Sequence, residues 1–349
     1  MKKYLFTMAT AAMLFASCSS DDTVIDNGVN EEGLVEIKLG TRAKVGVESR
    51  AAIEDLAGLS VGIIAANRTD MTDVLLANIE GKASASSTSS EYDITLQSEN
   101  NSKYYYNSSS TAAYDFFGYY PYQEDKENGV TFGTNIVATG DFTQDLDILA
   151  GRAMQEVLDN DAQKAYAWSA TYYKNHRTAG TQATDPNIEF NHMNSRFIIE
   201  IQRGPAFVEE TCVLDNVTMN LPETYSLTFA NGENPTIAYI DENTDATVVA
   251  GGTENFTAPT TGKLSVIDFM VPSGVETHTF YLNFLNRADA TRIDLIFDDL
   301  FTDADNVTDT KFEAGKIYTI TLTINGPEEI TVKATLKPWV AGGNWGLEI

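Results

Sequence analysis

The sequence has few of the residues from which catalytic and metal sites are usually built. Its 349 residues include two cysteines and three histidines. These are too few for a disulfide scaffold, a cysteine-rich zinc site or a histidine-based catalytic centre. It also has no Gly-x-Ser-x-Gly, His-Glu-x-x-His or phosphate-binding loop, and no carboxylate pair stands out from the acidic background. We therefore expect no enzymatic activity, no cofactor and no metal.

Basic residues are scarce as well. The chain carries 23 lysine and arginine residues against 50 aspartate and glutamate residues, a formal net charge of −27. A polyanion of this size is repelled by nucleic acid and by anionic membrane surfaces, so we expect no nucleic-acid partner. A hydrophobic content of 43% and an aromatic content of 10% are too high for a disordered acidic chain. The length suits one large or two ordinary domains.

The start of the chain is typical of an exported lipoprotein. A basic start, Met1–Lys3, precedes an apolar stretch, Tyr4–Phe15, that is too short to span a bilayer. The stretch ends in Phe-Ala-Ser-Cys, which resembles a bacterial lipobox and makes Cys18 the expected site of lipidation, palmitate included. Two or more acyl chains would give a stable anchor in outer-membrane lipid. An ordinary signal peptide with an incidental cysteine is the alternative.

Beyond residue 33, apolar residues recur at every second position. This alternation predicts strands with one apolar face. The clearest examples are Phe197–Gln202, Phe280–Leu285, Tyr318–Asn325 and Ile330–Lys337. Turn signals separate these segments, and no regular exchange of strands and helices is visible. We therefore predict an all-β fold of antiparallel sandwiches.

Two segments depart from this pattern. Leu149, Ala153 and Val157 lie four residues apart, which predicts a short helix at about 147–159. Thr178–Pro186 is rich in Thr, Ala, Gly, Gln, Asp and Pro and is the best candidate for a linker. We therefore divide the folded part of the chain near residue 186.

Several segments, taken in order, resemble those of the fimbrillin family of Bacteroidetes, the lipoprotein-derived pilus subunits. They are the lipobox ending at Cys18, Val35–Leu39 followed by Arg42 and Arg50, Leu59–Ala65, Asp115–Pro121, Ile188–His192, and Phe312–Tyr318 with Pro338–Trp339. The acidic tract that follows Cys18 also resembles the export signal of surface-exposed lipoproteins in these bacteria. The ordered set runs over nearly the whole chain.

This resemblance implies two transthyretin-like antiparallel β-sandwich domains with Greek-key character. It also implies a structural subunit of a cell-surface fimbria that serves adhesion, with other fimbrial subunits as partners and a host protein or glycan as a further partner. The expected organisation is a signal peptide at 1–17, a lipid-anchored tether and propeptide strand at 18–50, an N-terminal domain at 51–186 and a C-terminal domain at 187–349. The precursor would be a surface-exposed outer-membrane lipoprotein and the mature form part of the fimbria, as stalk, tip or anchor.

Two alternating segments suggest how subunits assemble. The apolar positions of the first are Val35, Ile37 and Leu39, and those of the second are Ile330, Val332, Ala334 and Leu336. Both have the pattern of a strand that completes a sheet while its side chains fill an apolar groove. An Arg-specific protease needs an exposed arginine in an extended segment, and Arg50–Ala51 is the preferred cleavage site, with Arg42 as the alternative. The first segment would then seal the N-terminal domain until cleavage, and the second segment of another subunit would replace it.

Less specific interpretations remain open beside these hypotheses. The two alternating segments could be a permanent first strand and an ordinary edge strand of a monomeric lipoprotein. The aromatic residues between Tyr104 and Tyr122 could stack on sugars in a monomeric surface protein that binds a glycan or host ligand, or could pack within strands. Five aspartates at 298–309 could hold calcium, although a solvated acidic loop is favoured. His192 is expected to be a structural residue.

Overall fold

Strands make up most of the structure. It is a computed structural model, described for residues 33–43, 56–85, 92–108, 112–124, 129–153, 168–181, 183–205, 214–219, 221–242, 247–251, 261–274, 279–284, 292–296, 311–325 and 330–338. In chain order the strands are β1 (Leu39–Ala43), β2 (Ser60–Asn67), β3 (Asp70–Ala85), β4 (Tyr92–Leu96), β5 (Tyr114–Tyr120), β6 (Val130–Thr131), β7 (Ile136–Asp141), β8 (Leu149–Ala153), β9 (Asn187–His192), β10 (Ser195–Arg203), β11 (Leu214–Met219), β12 (Pro222–Phe229), β13 (Thr236–Glu242), β14 (Thr247–Gly251), β15 (Leu264–Val271), β16 (Thr279–Phe284), β17 (Arg292–Ile296), β18 (Lys316–Ile324) and β19 (Ile330–Pro338). The helix α1 (Ala170–Ala179) lies between β8 and β9. The prediction of an all-β fold is confirmed.

Seven strands of the first part of the chain form a closed sheet. Their order is β1-β4-β3-β2-β5-β8-β9, and β9 pairs with β1 to complete the circle. The neighbours run antiparallel except β1 and β9, which run parallel. Closure gives each of the seven strands a neighbour on both sides, so the sheet has no open edge of the kind that invites pairing with another chain.

The other strands form three four-stranded sheets. Their orders are β15-β10-β18-β19, β14-β11-β16-β17 and β13-β12-β7-β6. The last of these joins strands from the two sides of residue 186, because β7 pairs with β12 from Ile136 opposite Phe229 to Asp141 opposite Thr224. The closed sheet also extends past residue 186, since it contains β9. Three strand pairs, β1 with β9, β8 with β9 and β7 with β12, therefore cross the expected domain boundary.

The core has two parts, and the closed sheet contributes to both. Successive side chains of a strand point to opposite faces. In β5, Phe116 belongs to the cluster that includes Val35 and Phe190, whereas Phe117 belongs to a second cluster. The ring of Phe117 lies 5.5 Å from that of Phe229 in β12, measured between centroids. The second cluster thus joins the closed sheet to the strands of the later part of the chain.

The clearest alternating segments of the sequence are strands in the structure. Phe197–Gln202 lies in β10, and Phe280–Leu285 overlaps β16. Tyr318–Asn325 overlaps β18, and Ile330–Lys337 lies in β19. In β10, Phe197, Ile199 and Ile201 are fully buried, while Ile198, Glu200 and Gln202 are partly exposed. The two-residue period was therefore a reliable signal for these strands.

The prediction of a helix at 147–159 is wrong for residues 147–153, the part that the structure describes. Leu149–Ala153 is instead β8, which lies between β5 and β9. Four of its five residues are buried, because both faces of this strand are covered. A strand buried on both faces shows no alternation, so spacing alone did not distinguish it from a helix.

The helix that does occur overlaps the predicted linker. The Ser169 side chain caps α1 by accepting a hydrogen bond from the Tyr172 N–H at 3.1 Å, and Gly180 ends it in the left-handed conformation with φ of 65°. Beyond the helix, Ala183 is buried and the Pro186 carbonyl accepts a hydrogen bond from the Gly40 N–H at 3.0 Å. The described part of this segment therefore packs against β1. In the part of the chain that the structure describes, no helix is both long enough and apolar enough to cross a membrane.

Candidate functional site

The segment that closes the sheet is the candidate functional site. We call residues 34–43 the closing segment. Its side chains alternate strictly in burial: Val35, Ile37, Leu39 and Thr41 are at most 6% exposed, whereas the positions between them are partly exposed. The buried aliphatic side chains lie in the same core cluster as Phe190 and Trp168. One face of the closing segment thus forms part of the core of the closed sheet.

Backbone hydrogen bonds hold the closing segment on both sides. In its first half, the Ile37 N–H donates to the Tyr104 carbonyl at 2.9 Å, and the Tyr106 N–H donates to the Val35 carbonyl at 2.9 Å. In its second half, β1 lies between β4 and β9, with Leu39 opposite Ile94 in β4. The segment is therefore a full member of the sheet.

Removing the closing segment would open the sheet between β4 and β9. The edges of these strands that face β1 would lose their partners, and unpaired strand edges readily accept another chain. The sites of Val35, Ile37, Leu39 and Thr41 would become an apolar groove. Each buried aliphatic side chain contributes about 1.5–3 kcal/mol, so three of them hold the segment firmly while it is part of the chain.

The two candidate cleavage sites differ in what the structure shows of them. Arg42 lies within β1, with its backbone opposite Glu189 of β9. A protease binds its substrate as a separate extended strand, so cutting at Arg42 requires β1 to leave the sheet first. Arg50 and Ala51 lie outside the described residues, as does Cys18.

The candidate donor segment is an edge strand of its own sheet. β19 pairs antiparallel with β18 along its whole length, from Ile330 opposite Ile324 to Pro338 opposite Lys316. Among the described strands, β19 has no neighbour other than β18. An edge strand can leave by breaking one set of pairs, whereas a central strand must break two.

His192 is buried and paired with a carboxylate. Its Nδ1 lies 2.9 Å from Oδ1 of Asp147, and both side chains are at most 2% exposed. Asp147 precedes β8 and His192 ends β9, so the pair links neighbouring strands of the closed sheet. This geometry agrees with the expected structural role.

The aromatic residues between 104 and 122 are mostly part of the core. Tyr106, Tyr114, Phe116, Phe117 and Tyr119 are at most 3% exposed. The Tyr119 hydroxyl donates to Oδ1 of Asn78 at 2.7 Å, and burial raises the pKa of Tyr119. These rings are not available to a sugar, so strand packing is their main role. Tyr104, Tyr105, Tyr120 and Tyr122 remain partly exposed.

Metal binding receives no support from the described residues. Among them, no group of three His, Cys, Asp or Glu side chains is arranged to hold a metal ion. The aspartates at 298–309 lie outside the described residues.

Comparison with known proteins identifies the family. The sequence matches the fimbrillin-like family over residues 41–339, which is most of the chain. The chain belongs to the fimbrillin-like family. No curated protein matches the sequence of this fimbrillin-like chain.

The fold is shared with a solved structure. A candidate cell adhesion protein from Bacteroides uniformis is 16% identical and superposes with a TM-score of 0.55, covering 89% of this fimbrillin-like chain and 100% of its own. A second, from Bacteroides ovatus, is 13% identical with a TM-score of 0.48, covering 88% and 99%. A fimbrial protein from Bacteroides vulgatus is 13% identical with a TM-score of 0.41, covering 87% and 99%. The match to the family over residues 41–339 confirms the family predicted from the sequence, while the transthyretin-like detail stays a prediction.

Parts of the site were not predicted from the sequence. Thr41 continues the alternation of Val35, Ile37 and Leu39 by one more position, and as a β-branched residue it suits a strand. That signal was available. The pairing of the closing segment with Tyr104–Tyr106 and with β9 was not, because these partners are distant in the chain and no local pattern specifies them.

Proposed function

We propose that this fimbrillin-like protein is a structural subunit of a cell-surface fimbria that serves adhesion. It is exported as a lipoprotein acylated at Cys18, cut after Arg50 by an Arg-specific protease, and polymerised by strand exchange with other subunits. The observation that supports this most directly is that one continuous segment, residues 34–43, closes the sheet between β4 and β9. Its loss leaves a vacancy of one strand.

Cleavage changes how strongly the closing segment is held. In the intact chain the segment is joined covalently to β2, and such a covalent link keeps its effective concentration high. After a cut at Arg50, only non-covalent contacts hold it. The cut also separates the lipid-anchored part from the body of the subunit, so the segment can stay at the membrane while the body joins the fimbria.

The spacing of β19 matches that of the closing segment. In the sequence, each segment has four alternate positions at a spacing of two residues. Placed in the same register, Ile330, Val332, Ala334 and Leu336 would occupy the sites of Val35, Ile37, Leu39 and Thr41. Since β19 is nine residues long, it is long enough to fill the vacancy. A donor from one subunit and a groove in the next form a head-to-tail contact that does not close on itself, which produces a filament.

Cleavage variants test the proposal. Purified precursor treated with an Arg-specific protease should lose residues up to Arg50 and form a ladder of polymers on size-exclusion chromatography. Arg50→Ala should stay monomeric, and Arg42→Ala, the matched control, should polymerise. Polymers of equal length from Arg50→Ala, or a cleaved body that keeps residues 34–43 by mass spectrometry, would contradict the mechanism.

A peptide experiment tests the donor directly without altering the fold. A peptide of residues 330–338 should bind the cleaved body and block polymerisation, as should a peptide of residues 34–43. Val332→Asp in the first peptide places a charge in the groove and should abolish binding, whereas Thr331→Asp places it on the opposite face and should not. Equal effects of the two substitutions would exclude this segment as the donor.

A further inference from the structure

A cavity of about 900 Å³ lies beside the closing segment. Its walls are residues 36–40 of the closing segment, residues 93–97 of β4 and the loop after it, the turn at 101–104, and residues 184–187 before and at the start of β9. Its volume falls within the range of about 300–1,000 Å³ that is usual for small-molecule sites. Asp93 and Thr95 are exposed, so the cavity is reachable from solvent.

The cavity is lined by polar side chains together with one fixed aromatic ring. Asp93, Asp185, Gln97 and Asn187 line it, and so does Tyr104. The Tyr104 hydroxyl donates to the Gln97 carbonyl at 3.1 Å, which holds the ring in place. Oδ1 of Asn187 is buried and has no hydrogen-bond partner among the described residues. A buried amide oxygen without a donor is costly, and rotation of the Asn187 side chain, which lines the cavity, would let a ligand hydroxyl supply that donor.

The lining favours one class of ligand over others. Three carboxylates and two lysines line the cavity, and this excess of negative charge on an already acidic protein disfavours an anion. The polar walls disfavour a hydrocarbon. Lys103, which also lines the cavity, is already paired with Glu36 at 2.6 Å, so its charge does not favour an anionic ligand. A peptide adding to the sheet would need a free strand edge, but β4 is paired with both β1 and β3. Hydroxyl groups suit carboxylate and amide partners, and the apolar face of a pyranose suits an aromatic ring.

We propose that this cavity binds a short saccharide. Tyr104 stacks against one sugar ring, and Asp93 and Asn187 accept hydrogen bonds from its hydroxyls. The protein therefore carries a saccharide site of its own, distinct from the groove that another subunit fills.

The closing segment supplies one wall of the cavity, so binding and retention of that segment are coupled. This part rests on the proposed function. A ligand that binds only when the wall is present stabilises the closed form by the same factor by which loss of the wall weakens binding. At a ligand concentration of 100 times Kd, release of the closing segment becomes about 100-fold less favourable. A saccharide would thus keep a cleaved subunit from exchanging strands early.

The uncleaved Arg50→Ala precursor tests the saccharide site independently of cleavage. Chitotriose, maltotriose and xylotriose are titrated by saturation-transfer NMR, with Tyr104→Ala, Asp93→Asn and Asn187→Ala as site variants. Tyr105→Ala is the control, because Tyr105 is the next residue and does not line the cavity. Near-ultraviolet circular dichroism and a urea midpoint establish that each variant is folded.

Binding of at least one trisaccharide, weakened about ten-fold or more by Tyr104→Ala and Asp93→Asn and unchanged by Tyr105→Ala, supports the proposal. Binding of none of the three by folded precursor overturns it, as does equal weakening by Tyr105→Ala. If the 330–338 peptide binds the same precursor and Tyr104→Ala abolishes that binding, the cavity is a peptide site and the saccharide assignment is wrong.

A separate measurement tests the coupling between saccharide binding and retention of the closing segment. Cleaved wild-type protein is incubated with the bound trisaccharide, and release of residues 34–43 is followed by mass spectrometry. Slower release supports the coupling, and unchanged release overturns it while leaving the saccharide site intact. If cleavage releases no segment even without saccharide, the proposed function fails, and binding to Arg50→Ala is unaffected by that result.

Discussion

The Thr41 hydroxyl donates a hydrogen bond to the main-chain carbonyl oxygen of Ile188, 2.7 Å away and 147 positions later in the sequence. Thr41 is fully buried. The bond adds to the parallel pairing of β1 with β9, which is the last contact needed to close the sheet. The Thr41 side chain and the backbone of β1 therefore fix the same register of β1 against β9.

Shortening a buried side chain of the closing segment should destabilise the precursor. Leu39→Ala removes part of an apolar side chain that is 4% exposed and leaves a cavity, so we expect a loss of about 2–5 kcal/mol in the free energy of unfolding. Urea denaturation measures it. Glu36→Gln, in the same segment, alters only a surface ion pair with Lys103 and should cost less than about 1 kcal/mol. Similar losses for both would show that the apolar face is not packed.

A methyl group at Gly151 should disrupt the pairing of β8 and β9. A Cβ atom there would overlap the Glu189 carbonyl oxygen, which is backbone and cannot rotate away. We expect Gly151→Ala to lower the free energy of unfolding by about 3 kcal/mol or more. This is at or above the upper end of the usual cost of overpacking a core. Gly133→Ala is the matched control, because its Cβ would only touch the Asn135 carbonyl at 3.6 Å. A Gly151→Ala protein as stable as the control would contradict this packing.

High pH should destabilise the protein through its buried tyrosines. Burial raises the pKa of Tyr106, Tyr119 and Tyr225 above the ordinary value of 10.0. Below pH 10 these groups are protonated in both states and contribute no pH dependence. Above it the unfolded chain loses protons that the folded protein keeps, so stability falls as pH rises. The urea midpoint should therefore decrease above about pH 10, and the tyrosinate absorbance that these three buried residues contribute should appear only on unfolding.

Tyr119→Phe separates the two effects of this tyrosine. At neutral pH it should cost about 1–3 kcal/mol, because it leaves Asn78 Oδ1 without its hydroxyl donor in the core. Above pH 10 its stability should fall less steeply than that of the wild type, since one titrating group is gone. Tyr105→Phe, at a partly exposed position, should match the wild type at neutral pH. An unchanged alkaline slope in Tyr119→Phe would exclude this residue as a contributor.

A fragment that ends at residue 186 should not fold cooperatively. It lacks β9, the partner of both β1 and β8, and it lacks Phe229, which packs on Phe117. We expect residues 33–186 to show no cooperative urea transition by near-ultraviolet circular dichroism, in contrast to the full chain. A cooperative transition would support the domain boundary predicted at residue 186 from the sequence.

The sequence predicted local strands well but not their partners. Alternation in Phe197–Ile201 and Tyr318–Ile324 was sufficient to locate β10 and β18, because each has a covered and a less covered face. It failed at Leu149–Ala153, where both faces are covered. The parallel pairing of β10 with β18 brings together residues about 120 positions apart, and no local pattern encodes such a contact.

The candidate site was predicted in part for the same reason. The apolar positions of the closing segment are visible as alternation in 35–39, and the structure shows them buried. That the segment lies between β4 and β9 depends on β9, which the sequence placed beyond a linker. The helix α1 was missed because its buried residues, Ala170, Tyr172 and Tyr173, cover too short a stretch for a helical period. Its caps, Ser169 and Gly180, were the signals that could have located it.

The sheet that joins β7 to β12 determines how the molecule would carry mechanical load. A flexible linker transmits tension through one covalent chain and lets the two halves swing apart. Here six residue pairs, from Ile136 with Phe229 to Asp141 with Thr224, hold the halves side by side. A pull directed along these antiparallel strands would shear their backbone hydrogen bonds together, so a filament loaded in that direction would resist stretching in flowing liquid.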